Sequence, residues 1–371
     1  MASVLEQIRE LEAEIAKTQK NKATEHHIGK LKAKIAKLRG NVIEKSKSKA
    51  GGIQFDVKKT GDASIALVGF PSVGKSSILN VLTDAKSIVA AYAFTTLDCI
   101  PGVMEYKGAK IQILDLPGIL EGAYAGLGRG KEVLAVARGA DMVLIVVDVF
   151  NPRIDVILNE LQNIGIRVNQ KPPNITIKKK YRGGININTT IQLTKINQKT
   201  VESIMNEYGV HSADVVFRED ITVDQLIDVM TGNRVYLPGV AALNKADLVS
   251  EEYVKELQKK LGMELIPISA KTGMNFDLFR EEIYQKLDFI RIFTRSRGVK
   301  KGSDDDLPMM LQRGVTVRMV CQKLHRAMLE NFRYAQVWGK SAKHPGQKVG
   351  LDHILEDDDL VTIVTHTGYS R

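Results

Sequence analysis

An apolar run, Ala63–Val68, opens directly onto Gly69-Phe70-Pro71-Ser72-Val73-Gly74-Lys75-Ser76. The spacing GxxxxGK[ST] behind a strand is a phosphate-binding loop, and it narrows the possible folds more than any other stretch of the chain. Such a loop works where a strand turns into a helix, so that successive backbone N–H groups and the helix N-terminus face one anion. Glycine permits the inward curl of the backbone. Lys75 supplies a point charge to the outer phosphates, and the Ser76 hydroxyl offers magnesium a hard oxygen ligand. With Ser77, the first candidate nucleotide segment runs over residues 69–77.

The second motif selects the base. The apolar stretch Val235–Leu243 ends in Asn244-Lys245-Ala246-Asp247. Guanine presents two N–H donors along its N1/N2 edge, where adenine presents an acceptor at N1. A carboxylate, which only accepts hydrogen bonds, therefore favours guanine. Asp247 is the candidate for that carboxylate, with Asn244 bracing the phosphate loop and the Lys245 stem covering the base. A further apolar run, Leu265–Ile268, leads into Ser269-Ala270-Lys271, whose amides can meet the guanine oxygen. Each motif is weak alone. In this order, each behind a strand, they specify a guanine nucleotide site.

Between them, the run Lys110–Leu114 ends in Asp115-Leu116-Pro117-Gly118-Ile119. A carboxylate here would hold magnesium through water, and the Gly118 amide would sense the third phosphate. Gly122, Gly126, Gly128 and Gly130 follow, so this stretch is expected to be mobile. The last element, Tyr92-Ala93-Phe94-Thr95-Thr96, offers a threonine to close the magnesium shell, and spacing does not choose between Thr95 and Thr96.

Strands ending at Gly69, Asp115, Asp148, Asn244 and Ser269 alternate with helical patterns, which predicts an α/β fold on a doubly wound, mostly parallel sheet. Ninety-five residues separate the strand ends Asp148 and Asn244, far beyond one crossover unit. The expected organisation is a helical hairpin over 1–50, a nucleotide domain over 62–290 interrupted by a small α+β domain over 165–236, and a separate α+β roll over 291–371. Within the roll, Arg318–Phe332 reads as one helix, Ala335–Trp338 and Leu360–Val364 as strands, and the lone Trp338 as core. Asp357–Asp359 reads as a turn.

The net charge of +10 is unevenly placed. Residues 1–50 carry +6 and residues 291–371 carry +5, leaving the middle close to neutral. Even there, residues 161–201 contain no acid and eight basic residues, namely Arg167, Lys171, Lys178, Lys179, Lys180, Arg182, Lys195 and Lys199. Three separated basic segments outside the nucleotide motifs favour a polyanion partner, RNA foremost. No apolar run reaches the eighteen or so residues of a membrane span. Met1–Arg9 lacks the apolar stretch of a signal peptide. Only Cys99 and Cys321 occur, neither with metal-ligand spacing. A cytoplasmic monomer with two buried thiols is expected.

Six segments match one group of proteins. They are Thr18–Thr24, Gly69–Ser76, Phe94-Thr95-Thr96-Leu97, Asp115–Ile119, Gly232-Asn233-Arg234-Val235-Tyr236 and Tyr334-Ala335-Gln336-Val337-Trp338-Gly339. The chain resembles, over essentially its whole length, the developmentally regulated GTP-binding proteins, a branch of the Obg-like translation-factor GTPases. The resemblance implies a P-loop GTPase domain interrupted by an S5-like domain, and a C-terminal TGS domain with a ubiquitin-like roll. It also implies GTP hydrolysis, magnesium, a role on ribosomes or RNA in translation, and, in eukaryotes, zinc-finger protein partners. On the resemblance, Thr96 rather than Thr95 is the magnesium ligand, and Lys75, Thr96 and Gly118 form the catalytic set. Two positions depart from common patterns. Ser72 stands where many potassium-activated relatives carry Asn, which leaves potassium as an open second cofactor. Ile119 stands where Ras-like enzymes place a water-orienting Gln, so turnover is expected to be slow. The alternative reading is a nucleotide-dependent scaffold for a protein partner, with hydrolysis incidental.

Overall fold

In the computed structural model the described residues are 4–19, 21, 24–49, 61–83, 100–116, 136–261, 264–295 and 308–366. Apolar runs build the central sheet from β1 (Ala63–Gly69), β2 (Ile100–Tyr106), β3 (Ala109–Asp115), β4 (Met142–Asp148) and, after an insertion, β10 (Gly239–Asn244) and β11 (Ile266–Pro267). Their order is β11-β10-β4-β1-β3-β2, parallel except for β2, which runs antiparallel to β3. All seven residues of β4 are buried, as expected for a strand covered on both faces. On one face Val143, Ile145 and Val147 pack with Ile157 and Leu161 of the helix Ile154–Asn163. On the other, Leu144 and Val146 pack with Ile78 and Leu82 of the helix Lys75–Leu82 and Phe279 and Ile283 of the helix Phe276–Leu287. The chain leaves β1 toward β3 on one side and reaches β4 and β10 on the other. The strand ends Gly69, Asp115, Asp148 and Asn244 therefore share one edge, the usual ligand position in an open α/β sheet.

The crossover from β4 detours through β5 (Ile166–Val168) and returns through β9 (Val235–Leu237), and these two strands pair in parallel. Between them lie β6 (Ile175–Lys179), β7 (Ile185–Thr189) and β8 (Ala213–Phe217), in the order β6-β8-β7. The helices Gln198–Glu207 and Val223–Thr231 bury Val201, Ile204, Leu226 and Ile227 against this sheet, and the helix Glu25–Lys49 adds Ala33 and Ala36 to the same core. Lys32 pairs with Asp224 at 2.9 Å and Lys37 donates to the Glu207 carbonyl at 2.9 Å. Part of the basic N-terminal segment thus serves internal docking. That helix also continues through Lys49.

Arg167 is a second exception to the polyanion reading. It is buried, and its guanidinium holds both oxygens of the buried Asp228 at 2.6 Å, while Arg234 reaches the same carboxylate at 2.9 Å. Arg138, just before β4, donates to the carbonyls of Ile164 and Asn233 at the root of the insertion. Burial, and then the nearby Arg234, push the Arg138 guanidinium below the ordinary arginine pKa.

The C-terminal unit is a five-stranded sheet from β12 (Phe289–Thr294), β13 (Met309–Gln312), β14 (Phe332–Trp338), β15 (Gln347–Val349) and β16 (Asp359–Thr365), ordered β13-β12-β16-β14-β15. The single helix expected over Arg318–Phe332 is instead two, Val317–Leu324 and Arg326–Glu330. His325 is extended between them, and its Nδ1 accepts from the Ala327 N–H at 3.1 Å, capping the second. Trp338 lies outside the core that Val320, Ala335, Val337 and Ile363 form. Asp357 and Asp358 form a turn, whereas Asp359, expected in it, is the first residue of β16. Asp357 pairs with Arg291, which holds its carboxyl at about 2, and the buried Asp359 accepts from the Ser341 and Glu356 amides. Cys321 is a free, buried thiol, pushed by burial to about 11; Cys99 lies outside the described residues. Among the described residues no helix is long and apolar enough to cross a membrane.

Candidate nucleotide-binding site

Beyond β1 the chain turns through Phe70, Pro71, Ser72, Val73 and Gly74 into the helix that starts at Lys75. Ser72 and Gly74 adopt φ of 63° and 95°. Left-handed residues of this kind bring neighbouring N–H groups to one concave side. Glycine at 74 is doubly required, since a Cβ there would strike the Asn244 amide nitrogen. At 69 a Cβ would strike the Val146 carbonyl of the neighbouring strand. The Lys75 ammonium lies across the loop, donating to the carbonyls of Gly69 and Phe70 at 3.1 and 3.0 Å. Arg153 covers the Phe70 ring at 5.0 Å.

Ser76 and Asp115 meet. The Ser76 hydroxyl donates to Asp115 Oδ2 at 3.1 Å, and Asp115 is buried at the end of β3 beside Leu116. A hydroxyl and a carboxylate in contact, beside a loop shaped for phosphates, fit a magnesium ion that takes most of its ligands from phosphate and water. Among the described residues no cluster of three or more His, Cys, Asp or Glu could hold a metal by itself. Ser77 is the exposed third residue of the helix that starts at Lys75. Thr96, Pro117, Gly118 and Ile119 lie outside the described residues.

Asn244 joins the two halves of the site. Its side chain is buried; Nδ2 donates to the Val73 carbonyl at 2.8 Å and Oδ1 accepts from the Ala270 N–H at 3.1 Å. One amide therefore clamps the phosphate loop to the Ser269–Lys271 turn. The Ala270 amide, expected from sequence to be available to guanine, is committed to this clamp. Ser269 is buried and shapes the turn by accepting from the Thr272 N–H at 3.2 Å. Lys245, at φ 61°, donates to Asp148 at 2.6 Å and to the Ser72 carbonyl at 3.2 Å. Asp247 sits on the one-turn helix Ala246–Leu248, exposed, with no hydrogen bond or ion pair among the described residues.

Sequence reasoning treated Asp148 only as a strand end. Its second oxygen accepts from the Asn151 N–H at 2.8 Å, so it both fixes the turn after β4 and anchors Lys245. A lone carboxylate closing an otherwise apolar strand was the available signal. Phe150, 68% exposed and 5.9 Å from the Lys245 ammonium, was missed as well and had no signal in spacing.

A family model described as "50S ribosome-binding GTPase" matches residues 64–179, the "C-terminal region of MMR_HSR1 domain" matches 182–289, and the TGS domain matches 290–365. An uncharacterised GTP-binding protein of Methanocaldococcus jannaschii is 56% identical over 97% of this chain and 92% of its own length. Developmentally-regulated GTP-binding protein 1 of Xenopus laevis is 49% identical over 98% of this chain and 100% of its own. The human developmentally-regulated GTP-binding protein 2 is 47% identical over 97% and 99%. With phosphate loop, guanine motif and clamp assembled on one sheet edge, and with relatives this similar from end to end, the chain belongs to the developmentally regulated GTP-binding protein family, combining a P-loop GTPase domain with a C-terminal TGS domain.

Proposed function

We propose that this chain binds GTP with magnesium, hydrolyses it slowly to GDP and phosphate, and acts as a nucleotide switch on ribosomes or RNA in the cytoplasm. The observation that carries the nucleotide part is the Asn244 clamp, which ties the Val73 carbonyl of the phosphate loop to the turn at Ala270 and so fixes both ends of one site. In this reading the loop amides and Lys75 hold the phosphates, and Asp247 and the Lys271 amide recognise guanine. Ser76, Thr96 and Asp115, the last through water, would hold magnesium, whose charge offsets that developing on the phosphate oxygens. Gly118 senses the third phosphate.

Turnover is the first test. Ile119 cannot position water by hydrogen bonding, so the isolated protein should run near the unassisted Ras scale of about 10⁻⁴–10⁻³ s⁻¹. Ile119→Ala should leave that rate within a few-fold, because no hydrogen bond is removed. Thr96→Ala should impair hydrolysis far more than GDP binding. Rapid, potassium-independent turnover by the protein alone would show that a catalytic group is already in place and sink this assignment.

The RNA part rests on the basic segments, as refined by the ion pairs above. Lys178 and Lys179 are exposed and unpaired among the described residues, whereas Lys180 is held by Asp214 and Lys195 lies 4.0 Å from Asp220. Neutralising Lys178 and Lys179 should weaken RNA or ribosome binding and lower its log–log salt slope by roughly 0.7–0.9 per lost phosphate contact. GTP affinity should not change. Deleting residues 1–50 is the poorer experiment, because Ala33 and Ala36 belong to the core of the inserted unit. Cosedimentation with ribosomes in GTP analogue, GDP or no nucleotide separates the switch from the scaffold. Capture of a protein partner that depends on nucleotide, with no RNA or ribosome binding, would favour the scaffold.

A further inference from the structure

Consecutive residues of the guanine motif take consecutive carbonyls of the phosphate loop. Asn244 holds the Val73 carbonyl, and the Lys245 ammonium donates to the Ser72 carbonyl at 3.2 Å. Ser72 and Lys245 are both non-glycine residues with left-handed backbone, at φ 63° and 61°. Such conformations persist only where the surroundings over-determine them. Asn244 has a second anchor at the Ala270 N–H. For Lys245 the second anchor is Asp148 Oδ2, at 2.6 Å.

Asp148 is the last residue of β4, 6% exposed, and belongs to none of the nucleotide motifs. Its Oδ1 accepts from the N–H groups of Phe150 and Asn151 at 3.2 and 2.8 Å, which turns Oδ2 toward Lys245. A carboxylate this buried needs a cation, and Lys245 is its one ion-pair partner among the described residues. The Phe150 ring flanks the same ammonium at 5.9 Å. The turn after β4 has support besides the carboxylate. The Asn151 N–H also reaches the Asp148 carbonyl at 3.2 Å, and the Val149 N–H donates to the Asn244 carbonyl at 3.3 Å. The charge on Asp148 is therefore not needed to shape the turn. Its one counterpart is the lysine.

We propose that Asp148 is a positioning residue for nucleotide binding, acting through Lys245. The lysine is fixed at its backbone by the guanine motif and at its ammonium by Asp148 and Ser72. Its stem is thereby held in the place where it covers the base, and no rotamer freedom is lost when a nucleotide enters. Ordering one such side chain at the moment of binding lowers affinity by roughly 2- to 13-fold. This proposal rests on the guanine-nucleotide reading above, in which the Lys245 stem lies over the base.

Asp148→Asn separates the charge from the turn. The amide oxygen still accepts from the Asn151 N–H, as asparagine does in turns of this kind, while the NH₂ group presents a donor to the ammonium. Dissociation of N-methylanthraniloyl GDP and GTP from the full-length protein, followed by stopped-flow fluorescence, gives the readout. Both nucleotides should leave faster and bind roughly 2- to 13-fold more weakly. The two factors should be equal, because the stem covers the base and not the third phosphate. Lys245→Met removes the ammonium and should weaken binding at least as much. Adding Asp148→Asn to Lys245→Met should then change nothing further. Melts followed by circular dichroism show which variants are folded; if Asp148→Asn is not, Asp148→Ser, which also keeps a turn acceptor without charge, takes its place.

A residue that only shaped the turn would leave both dissociation rates unmoved in a folded Asp148→Asn, and that result overturns the proposal while guanine binding stands. A further loss in the double variant would show that Asp148 does not act through Lys245, and a loss confined to GTP would move its action to the third phosphate; either also overturns it. If the unaltered protein binds neither GDP nor GTP, the guanine-nucleotide reading falls with it.

Discussion

Asp247→Asn should weaken GTP binding by roughly 150- to 20,000-fold, the loss of two hydrogen bonds to a charged acceptor at about 1.5–3 kcal/mol each. It should at the same time admit xanthosine triphosphate. The carboxylate can only accept, and guanine offers it two N–H donors. An amide offers one donor and one acceptor, and xanthine carries a carbonyl where guanine carries its amine. The reversed pattern therefore fits the other base. Because Asp247 is exposed and makes no hydrogen bond or ion pair among the described residues, the substitution should leave thermal stability within about 0.5 kcal/mol. Isothermal titration with GTP, ATP and xanthosine triphosphate checks all of this. Equal affinity of the unaltered protein for ATP and GTP would remove the basis of the guanine assignment.

Asn244→Ala should act on fold and site together. It strands the Val73 carbonyl and the Ala270 N–H, both currently satisfied by one buried side chain at 2.8 and 3.1 Å. Leaving each unsatisfied costs about 1–3 kcal/mol, so the nucleotide-binding unit should lose about 2–6 kcal/mol of stability. GTP and GDP should both bind much more weakly, and by similar factors, since the clamp sets the shape of the loop and does not touch the third phosphate. Asn244→Asp keeps the acceptor for Ala270 and loses the donor to Val73, so it should fall between the two. Denaturant melts followed by circular dichroism, with GDP titrations beside them, test the series. A normal melt and normal GDP affinity in Asn244→Ala would mean that the loop holds its shape without the clamp.

The residues of the nucleotide site were legible in the chain because their chemistry is local. A phosphate loop needs glycines, a lysine and a hydroxyl at fixed spacing behind one strand, and Gly69–Ser76 supply them contiguously. The parallel sheet was legible for a similar reason, since strands buried on both faces are continuous apolar runs, as in the fully buried β4. The break at His325 was not legible, because apolar spacing continues across it while one ring nitrogen supplies the cap of the second helix.

Partnership over long sequence distances was decided only by the tertiary structure. Nothing in spacing says that Asn244 holds Val73, 171 positions away, or that it takes up the Ala270 amide that the motif seemed to offer to guanine. Counting charges put Arg167 and Lys32 among residues for a polyanion, yet folding places each beside a carboxylate, Asp228 and Asp224. Trp338 shows the same limit from the other side. Composition makes a lone tryptophan core, but alternation along a strand fixes only that it faces opposite Val337. The helix Val317–Leu324 occupies the Val337 side of the sheet. Sequence by itself thus determined which nucleotide chemistry the chain can perform and on what kind of sheet. Which charges are free, which amides are taken and which aromatic ring faces outward depend on what packs against each face, and that is a property of the assembled fold.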